Sequence, residues 1–491
     1  MQCTDSKSSV SKSRDRDSKA HLIKREGNKV KEVVIRNAGD VLKFVNQHTS
    51  QKGLLITLIA FGGVFVDGYD FTSLSIGAVQ LKAQFGLSAF QLGTITASMA
   101  VGALLAALVG GYFVDKIGRY KMFLLDLFLF VASAIGAAFS PNIIWLLFFR
   151  FFMGVGVGLD FPAAMSFVAE FSERRDRSQK VNFWGAVWST AVIIGLLWVL
   201  GLYYLVPSGV LWRWAVGMGA LPAFIVVLLR YRYMMESPTW MARSGDLSGA
   251  ARVLSDTYGV KAMARPDGRT PGHAFSVREI GRIFRKPYAK RTLLASVLAA
   301  EGSIEFFGIS FYFPVISLII FGKVFLFAIL GTIGFNIFGL VGGIFGALWT
   351  PKQGMRRLAA ASCIGVIVSL VVIGIFRHSM PVYLTAAILG IFDLIHGFGP
   401  AIQGMGMASL SYPTEIRGIG IGWTQSAVRI GSIIGFYVFP LLMAVIGLSG
   451  TLLVIAIAPL ITLTVILFDR WDPALQRETV DAEELADLAI E

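Results

Sequence analysis

The sequence predicts an all-α integral membrane protein, with about twelve transmembrane helices arranged in two pseudo-symmetric six-helix bundles. Of its 491 residues, 55% are hydrophobic and 15% are charged, whereas soluble domains carry about 25% charged residues. The apolar residues form runs of about 20, the length that a helix needs to cross a hydrocarbon layer about 30 Å thick. Short polar motifs also recur about 236 residues apart, which predicts two related halves.

The apolar runs define twelve spans, numbered here span 1 to span 12. They lie at roughly 53–79, 88–113, 121–139, 143–169, 182–205, 213–233, 292–321, 324–349, 357–376, 381–409, 418–445 and 449–468. Each must be helical because lipid offers the backbone no hydrogen-bond partner. The expected domains are a largely disordered tail (1–50), a first bundle (51–233), a linker loop with one or two surface helices (234–290), a second bundle (291–469) and an acidic tail (470–491).

Cations concentrate on one side of this arrangement, in the N-terminal tail, the linker loop and the loops after spans 2, 4 and 8. The positive-inside rule therefore predicts that both termini are cytoplasmic and that the chain lies in the inner membrane, in contact with the lipid bilayer. This placement of the net charge of +13 argues against a nucleic-acid partner. Residues 31–48 are expected to form an interfacial helix with Val33, Val34, Ala38, Val41 and Val45 on one face.

Two segments are repeated. The segment Asp115–Lys121 has a worn copy at Pro351–Arg357, and the segment Glu170–Arg177 has a counterpart that ends at Arg417. Duplicated halves of this kind are typical of transporters that move around a central site. The two cysteines, Cys3 and Cys363, predict neither a disulfide nor a zinc site, and no metal or cofactor is expected.

The motif Gly111-x-x-x-Asp115-x-x-Gly118-Arg119-x-Lys121 lies between spans 2 and 3 and resembles the signature loop of the major facilitator superfamily. The resemblance implies a cytoplasmic gate, in which an aspartate faces a helix N-terminus and an arginine binds a carboxylate. The residues assigned to this gate are Gly111, Asp115, Gly118, Arg119, Arg150, Glu170, Arg177, Glu415 and Arg417.

Three further motifs resemble the sugar-porter group, which in its broad sense includes metabolite:proton symporters. They are Arg150-x-x-x-Gly154-x-Gly156-x-Gly158, Glu236-Ser237-Pro238 and Tyr412-Pro413-Thr414-Glu415. Sugar porters carry two glutamines and an asparagine in span 7 that bind hydroxyl groups. Here those positions hold Glu301, Gly302 and Phe307, so a hexose is not the favoured substrate.

Two other elements point to different branches. Asp67-Gly68-Tyr69-Asp70 in span 1 resembles an element of aromatic acid:proton symporters, and Asp160-Phe161-Pro162 in span 4 resembles one of phosphate:proton symporters. Because the signatures are mixed, none of them identifies the substrate.

Ionisable residues inside a bilayer are expensive, so they predict function. The proton-coupling candidates are Asp67, Asp70, Asp160 and Glu305, for which hydrogen bonds that pack helices together are the alternative. Arg429 fits either a clamp for an anionic substrate or a partner of a carboxylate, and Trp188 either lines a cavity or faces lipid. The candidates for substrate contact are Glu301, Asp393, His396, Gln425, Arg429 and Trp188.

Together these observations predict a monomeric secondary transporter that imports a small organic or aromatic acid with protons by alternating access. A sugar, polyol or phosphate symporter is the alternative, and an exporter or a uniporter is a further one. An enzyme is not expected, because the sequence shows no nucleophile elbow, paired-histidine motif or metal-ligand cluster.

Overall fold

The computed structural model describes residues 32–50, 52–266, 277–322, 324–476, 482–483 and 485. Eleven segments in this part of the chain are long and apolar enough to span a membrane. The last of them, Arg417–Phe468, has 52 residues and is interrupted at Gly447, where φ is 64°. It contains spans 11 and 12, so all twelve predicted spans are present as helices.

Several spans consist of two helices joined at a break. The helices, in span order, are Gly53–Ala60 with Gly62–Phe85, Ala89–Ile117, Arg119–Ala138, Ile143–Glu170, Arg177–Asn182 with Trp184–Leu205, Leu211–Gly217 with Ala220–Tyr233, Tyr288–Gly308 with Phe313–Phe321, Phe325–Gln353, Met355–Phe376, Val382–Phe398 with Pro400–Leu410, and Arg417–Ile455 followed by Ile457–Phe468. In the last pair, the break at Gly447 separates span 11 from span 12. The outer surfaces of the spans expose large apolar side chains such as Phe128 and Phe139, as expected for contact with lipid.

The packing follows the predicted two-fold repeat. In the first half, span 2 packs on span 4 and span 1 on span 5; in the second half, span 8 packs on span 10 and span 7 on span 11. The halves meet where span 2 packs on span 11 and where span 8 packs on span 5. These two interfaces are equivalent, because the repeat relates span 2 to span 8 and span 5 to span 11.

The face that carries the 2–3 loop and the linker is called here the linker face. On it, the strand Glu32–Ile35 pairs in parallel with Lys261–Ala264. The helix Ala38–Gln47 and the linker helix Leu247–Tyr258 share a small apolar core with this pair. The expectation of an interfacial helix over 31–48 is wrong for the described residues, because residues 32–35 form a strand and Ala38, Val41 and Val45 pack on the linker. The part of the predicted tail before Glu32 lies outside the described residues.

Candidate functional site

A cavity lies at the centre of the molecule, between the two bundles. The candidates Trp188, Asp393, His396, Gln425 and Arg429 line it. Trp184, one turn before Trp188 in span 5, lines it as well. Further lining residues that the sequence reasoning missed are polar or aromatic, namely Ser189, Ser303, Phe306 and Asn336. Asn336 could have been identified from the sequence, because an asparagine within an otherwise apolar span is unusual, as a charged residue there would be.

Arg429 connects the bundles inside this cavity. Its Nη2 atom lies 3.0 Å from Oδ2 of Asp67, and both side chains are almost completely buried. With the side-chain amide of Gln425 in its hydrogen-bonding orientation, the Gln425 oxygen also accepts from Arg429. Asp67 belongs to span 1 and Arg429 to span 11, so this ion pair joins the first bundle to the second.

Asp70 pairs within the first bundle instead. Its Oδ2 atom lies 2.5 Å from Nη1 of Arg150 in span 4, and both side chains are fully buried. Asp67 and Asp70 therefore each have their own guanidinium partner. The assignment of Arg150 to the gate at the linker face was wrong. Arg150 precedes Glu170 by 20 residues on one helix, which is about 30 Å of helix length.

Asp160 lies in a third ionic group, away from the cavity. Its Oδ1 atom accepts from Arg230 at 2.6 Å, and Arg230 also donates to Asp126 and to the carbonyl oxygen of Ala60. The group connects spans 1, 3, 4 and 6 inside the first bundle. These contacts hold Asp160 within the first bundle and favour a role for it in helix packing.

Glu301 and Glu305 lie behind the cavity wall in span 7. Glu305 Oε2 is 2.8 Å from Nδ1 of His396 in span 10. Glu301 is buried next to Glu305 and does not belong to the cavity lining that the structure describes. Its assignment as a substrate contact is therefore not supported by its position. Asp393 accepts from the Ser310 hydroxyl at 2.8 Å and does face the cavity.

A polar network closes the linker face between the bundles. Arg119 donates to Asp115 at 3.1 Å and to Glu170 at 2.8 Å. Arg417 of the second bundle donates to the same Glu170 oxygen at 3.2 Å. The network also crosses between the bundles through Asp115, which accepts from the backbone N–H groups at the start of span 11. A helix N-terminus favours such an anion because its first N–H groups have no partner in the helix.

The glycines of the motif are needed for this contact. A Cβ atom on Gly111 would lie 2.2 Å from the carbonyl oxygen of Gly418 in span 11. Gly118 has a φ of 106°, which side-chain-bearing residues rarely adopt. Arg177 lies at the same face but donates to the Ser172 carbonyl oxygen and to Asn46.

Glu415 is bound by the linker rather than by the central network. It accepts from Arg243, and its other oxygen accepts from Arg282 at 2.9 Å. Nearby, Glu236 accepts from the backbone N–H groups of Arg119 and Tyr120 at the start of span 3. Burial raises the pKa of Glu236 above its ordinary value, against the opposing effect of these hydrogen bonds.

Aromatic rings join the bundles on the side of the cavity away from the linker face. Phe71 of span 1 lies 4.9 Å from Phe307 and 6.0 Å from Phe436, measured between ring centroids. Trp188 meets Phe306 edge to face at 5.5 Å. The cavity therefore lies between two contacts that join the bundles. The polar network is on its linker-face side, and the aromatic cluster is on the opposite side.

A family model described as Major Facilitator Superfamily matches residues 60–407, which is more than half of the chain. The chain belongs to the major facilitator superfamily. It is thus a multi-pass membrane transporter of small molecules and not an enzyme, and the expected fold and family are confirmed.

Known members of this superfamily resemble the chain over most of its length. The inner membrane metabolite transport protein YgcS of Escherichia coli is 26% identical, covering 82% of this chain and 87% of that protein. The major myo-inositol transporter IolT of Bacillus subtilis is 27% identical, with coverage of 83% and 89%. The solved proton:xylose symporter XylE shares the fold, with a TM-score of 0.70 at 19% identity over 86% of this chain and 96% of that one.

Proposed function

We propose that this transporter imports a neutral, hydroxyl-rich metabolite, a sugar or a polyol, together with protons. The observation that carries the proposal is the charge balance of the cavity. Among its described lining residues, Arg429 is the one permanent cation, and Asp67 already neutralises it at 3.0 Å. A carboxylate substrate would find no free cation there, and a buried unpaired charge is costly.

The remaining lining suits a molecule with many hydroxyl groups. Ser189, Ser303, Asn336 and Gln425 offer both donors and acceptors. The indole N–H of Trp184 is buried without a hydrogen-bond partner among the described residues, so it is available to a ligand oxygen. Aromatic faces next to such groups fit the apolar faces of a sugar ring. The names of relatives, a myo-inositol transporter and a glucose transporter among them, favour the same class.

The proposed coupling site is Asp70 with Arg150. Both side chains are buried in the first bundle, and a proton on Asp70 would neutralise one member of the pair without exposing it to solvent. Protonation removes the Coulomb attraction between Asp70 and Arg150, so spans 1 and 4 can rearrange when the loaded carrier changes between its two states. We also propose that the linker face is cytoplasmic and that the chain resides in the inner membrane. The Asp115–Arg119–Glu170–Arg417 network is then the gate on the cytoplasmic side. We propose that the carrier works as a monomer.

A small organic acid is the second candidate. A proton on Asp67 would leave the Arg429 guanidinium without its carboxylate partner, and an anionic substrate could then take that place. This possibility rests on the position of Arg429 in the cavity wall, close to Gln425.

The test is uptake into proteoliposomes under an imposed inward proton gradient. The panel contains hexoses, pentoses, polyols, short organic acids and benzoate-like acids. Gradient-driven accumulation of a sugar or polyol is expected, and accumulation of acids alone would overturn the proposed substrate class. In Asp70→Asn, exchange of labelled for unlabelled substrate should persist while gradient-driven accumulation is lost. Full accumulation in that variant would refute coupling through Asp70.

A further inference from the structure

The second bundle contains a group of buried acids that the coupling site in the first bundle does not use. Glu301 and Glu305 lie one helical turn apart in span 7, with exposed fractions of 3% and 0%. Their carboxyl groups are within hydrogen-bonding reach of each other. Both oxygens of Glu301 and the Oε1 atom of Glu305 lack any donor among the described residues.

This arrangement requires a proton. Two carboxylates in contact inside a bilayer are not both ionised, because their mutual repulsion in a buried site is strong and one shared proton removes it. The titratable groups that face the pair are His396 of span 10 and the Cys363 thiol of span 9, and Asp393 lies beside His396. Among these, only the imidazole can carry a positive charge. It binds Glu305 at 2.8 Å, and among the described residues no arginine or lysine acts on Glu301.

The histidine also connects the pair to the transport pathway. His396 lines the cavity, whereas Glu301 and Glu305 do not belong to the described lining. The imidazole has two nitrogen atoms, so it can receive a proton from the cavity on one and bind Glu305 through the other. The Phe306 and Phe392 rings pack near it, with centroids 6.3 Å and 6.0 Å from that of the imidazole.

We infer that Glu301, Glu305 and His396 form a second proton-binding site, in the second bundle, which exchanges protons with the cavity through His396. The inference rests on the proposed function for its role in transport, where it adds a proton to the one that Asp70 carries. It is not a copy of the first site, because the Asp70–Arg150 pair holds a permanent cation and this group holds none. A carrier with both sites moves two protons for each substrate molecule.

Infrared difference spectroscopy of the full-length protein in lipid tests proton binding without any substrate. A carboxylic-acid C=O band that changes with pH is expected in the wild type. It should disappear in Glu301→Gln and persist in Asp70→Asn. The Glu301→Gln variant is the better choice for folding, because its amide can donate to Glu305 as a protonated Glu301 would. A band that does not change with pH, or one that is unaltered in Glu301→Gln, would overturn the inference.

Transport supplies the second readout. In proteoliposomes without a membrane potential, the slope of the logarithm of substrate accumulation against the pH difference should halve in Glu301→Gln. The exposed 2–3 loop variant Lys116→Ala serves as the control and should keep the wild-type slope. An unchanged slope in Glu301→Gln would refute a role in coupling. If the band changes with pH but the protein transports no member of the substrate panel, the proton site is supported and the proposed substrate class is refuted.

Discussion

Glu236 and Asp472 lie 236 residues apart and make the same contact, each accepting hydrogen bonds from the first two backbone N–H groups of a span. Glu236 binds the N–H groups of Arg119 and Tyr120 at 3.0 and 3.2 Å. Asp472 binds those of Met355 and Arg356 at 3.2 and 3.0 Å. Burial raises the pKa of Asp472, as it does that of Glu236. The sequence repeat is thus preserved in a contact between segments far apart in the chain.

These two acids should contribute equally to stability. Glu236→Ala and Asp472→Ala are each expected to lower the free energy of unfolding by about 0.5–2 kcal/mol, because each leaves helix N–H groups without an acceptor. Thermal unfolding in detergent, followed by tryptophan fluorescence, measures the effect. The isosteric Glu236→Gln and Asp472→Asn retain one acceptor oxygen and should lose less. A loss confined to one of the two sites would contradict their equivalence.

Removing one partner of the Asp67–Arg429 ion pair should destabilise the protein more than removing both partners. Arg429→Gln leaves a buried carboxylate without a cation, which costs about 3–5 kcal/mol. The double variant Asp67→Asn/Arg429→Gln should recover most of the thermal stability. If the loss of stability in the double variant equals the sum of the losses in Asp67→Asn and Arg429→Gln, the two residues do not interact in the folded protein.

The linker-face network should control access to the cavity from that side. A cysteine introduced at Ser303, in a background with Cys3 and Cys363 replaced by serine, reports access through its rate of labelling by a charged thiol reagent. In Glu170→Gln the rate should rise by at least about tenfold, because a charge-assisted hydrogen bond is worth about 1.5–3 kcal/mol. Lys116→Ala, in the exposed part of the same loop, should leave the rate unchanged. Equal rates in Glu170→Gln and the wild type would exclude the network as a barrier.

Close packing between spans 2 and 4 depends on glycine. A Cβ atom on Gly154 would lie 1.9 Å from the Met99 carbonyl oxygen, so Gly154→Ala should separate these spans and lower the unfolding temperature markedly. Gly201→Ala is the matched control, because no heavy atom lies within 4 Å of a Cβ at that position in span 5. Equal unfolding temperatures in the two variants would contradict the close approach.

Much of this architecture could be predicted because the bilayer restricts the choices. Span length, the repeat and the loop motif led to the helices, the bundles and the contact between Asp115 and span 11. The position of Arg150 could not be predicted, because its motif says nothing about which residue lies opposite. Likewise, the partner of Arg429 was one of several carboxylates, and only the approach of span 1 to span 11 selects Asp67.

The linker face shows where periodicity misled the prediction. Val41 and Val45 lie on an apolar helical face, which suits a membrane surface and a protein surface equally well. The partner of that face is the linker helix Leu247–Tyr258, about 200 residues away in sequence. The hydrophobic pattern of one segment does not show which distant segment packs on it. The parallel strand pair was missed for the same reason.

The strand pair has a mechanical consequence. Because Glu32–Ile35 is hydrogen-bonded to Lys261–Ala264, the segment before span 1 and the first half of the linker are fastened to each other. From Val277 onward the linker lies against the second bundle, where Arg282 binds Glu415. The first half of the linker reaches the same glutamate, because Arg243 also donates to Glu415. A movement that separates the bundles at this face must therefore break the Arg243–Glu415 contact or carry the strand pair along with the second bundle.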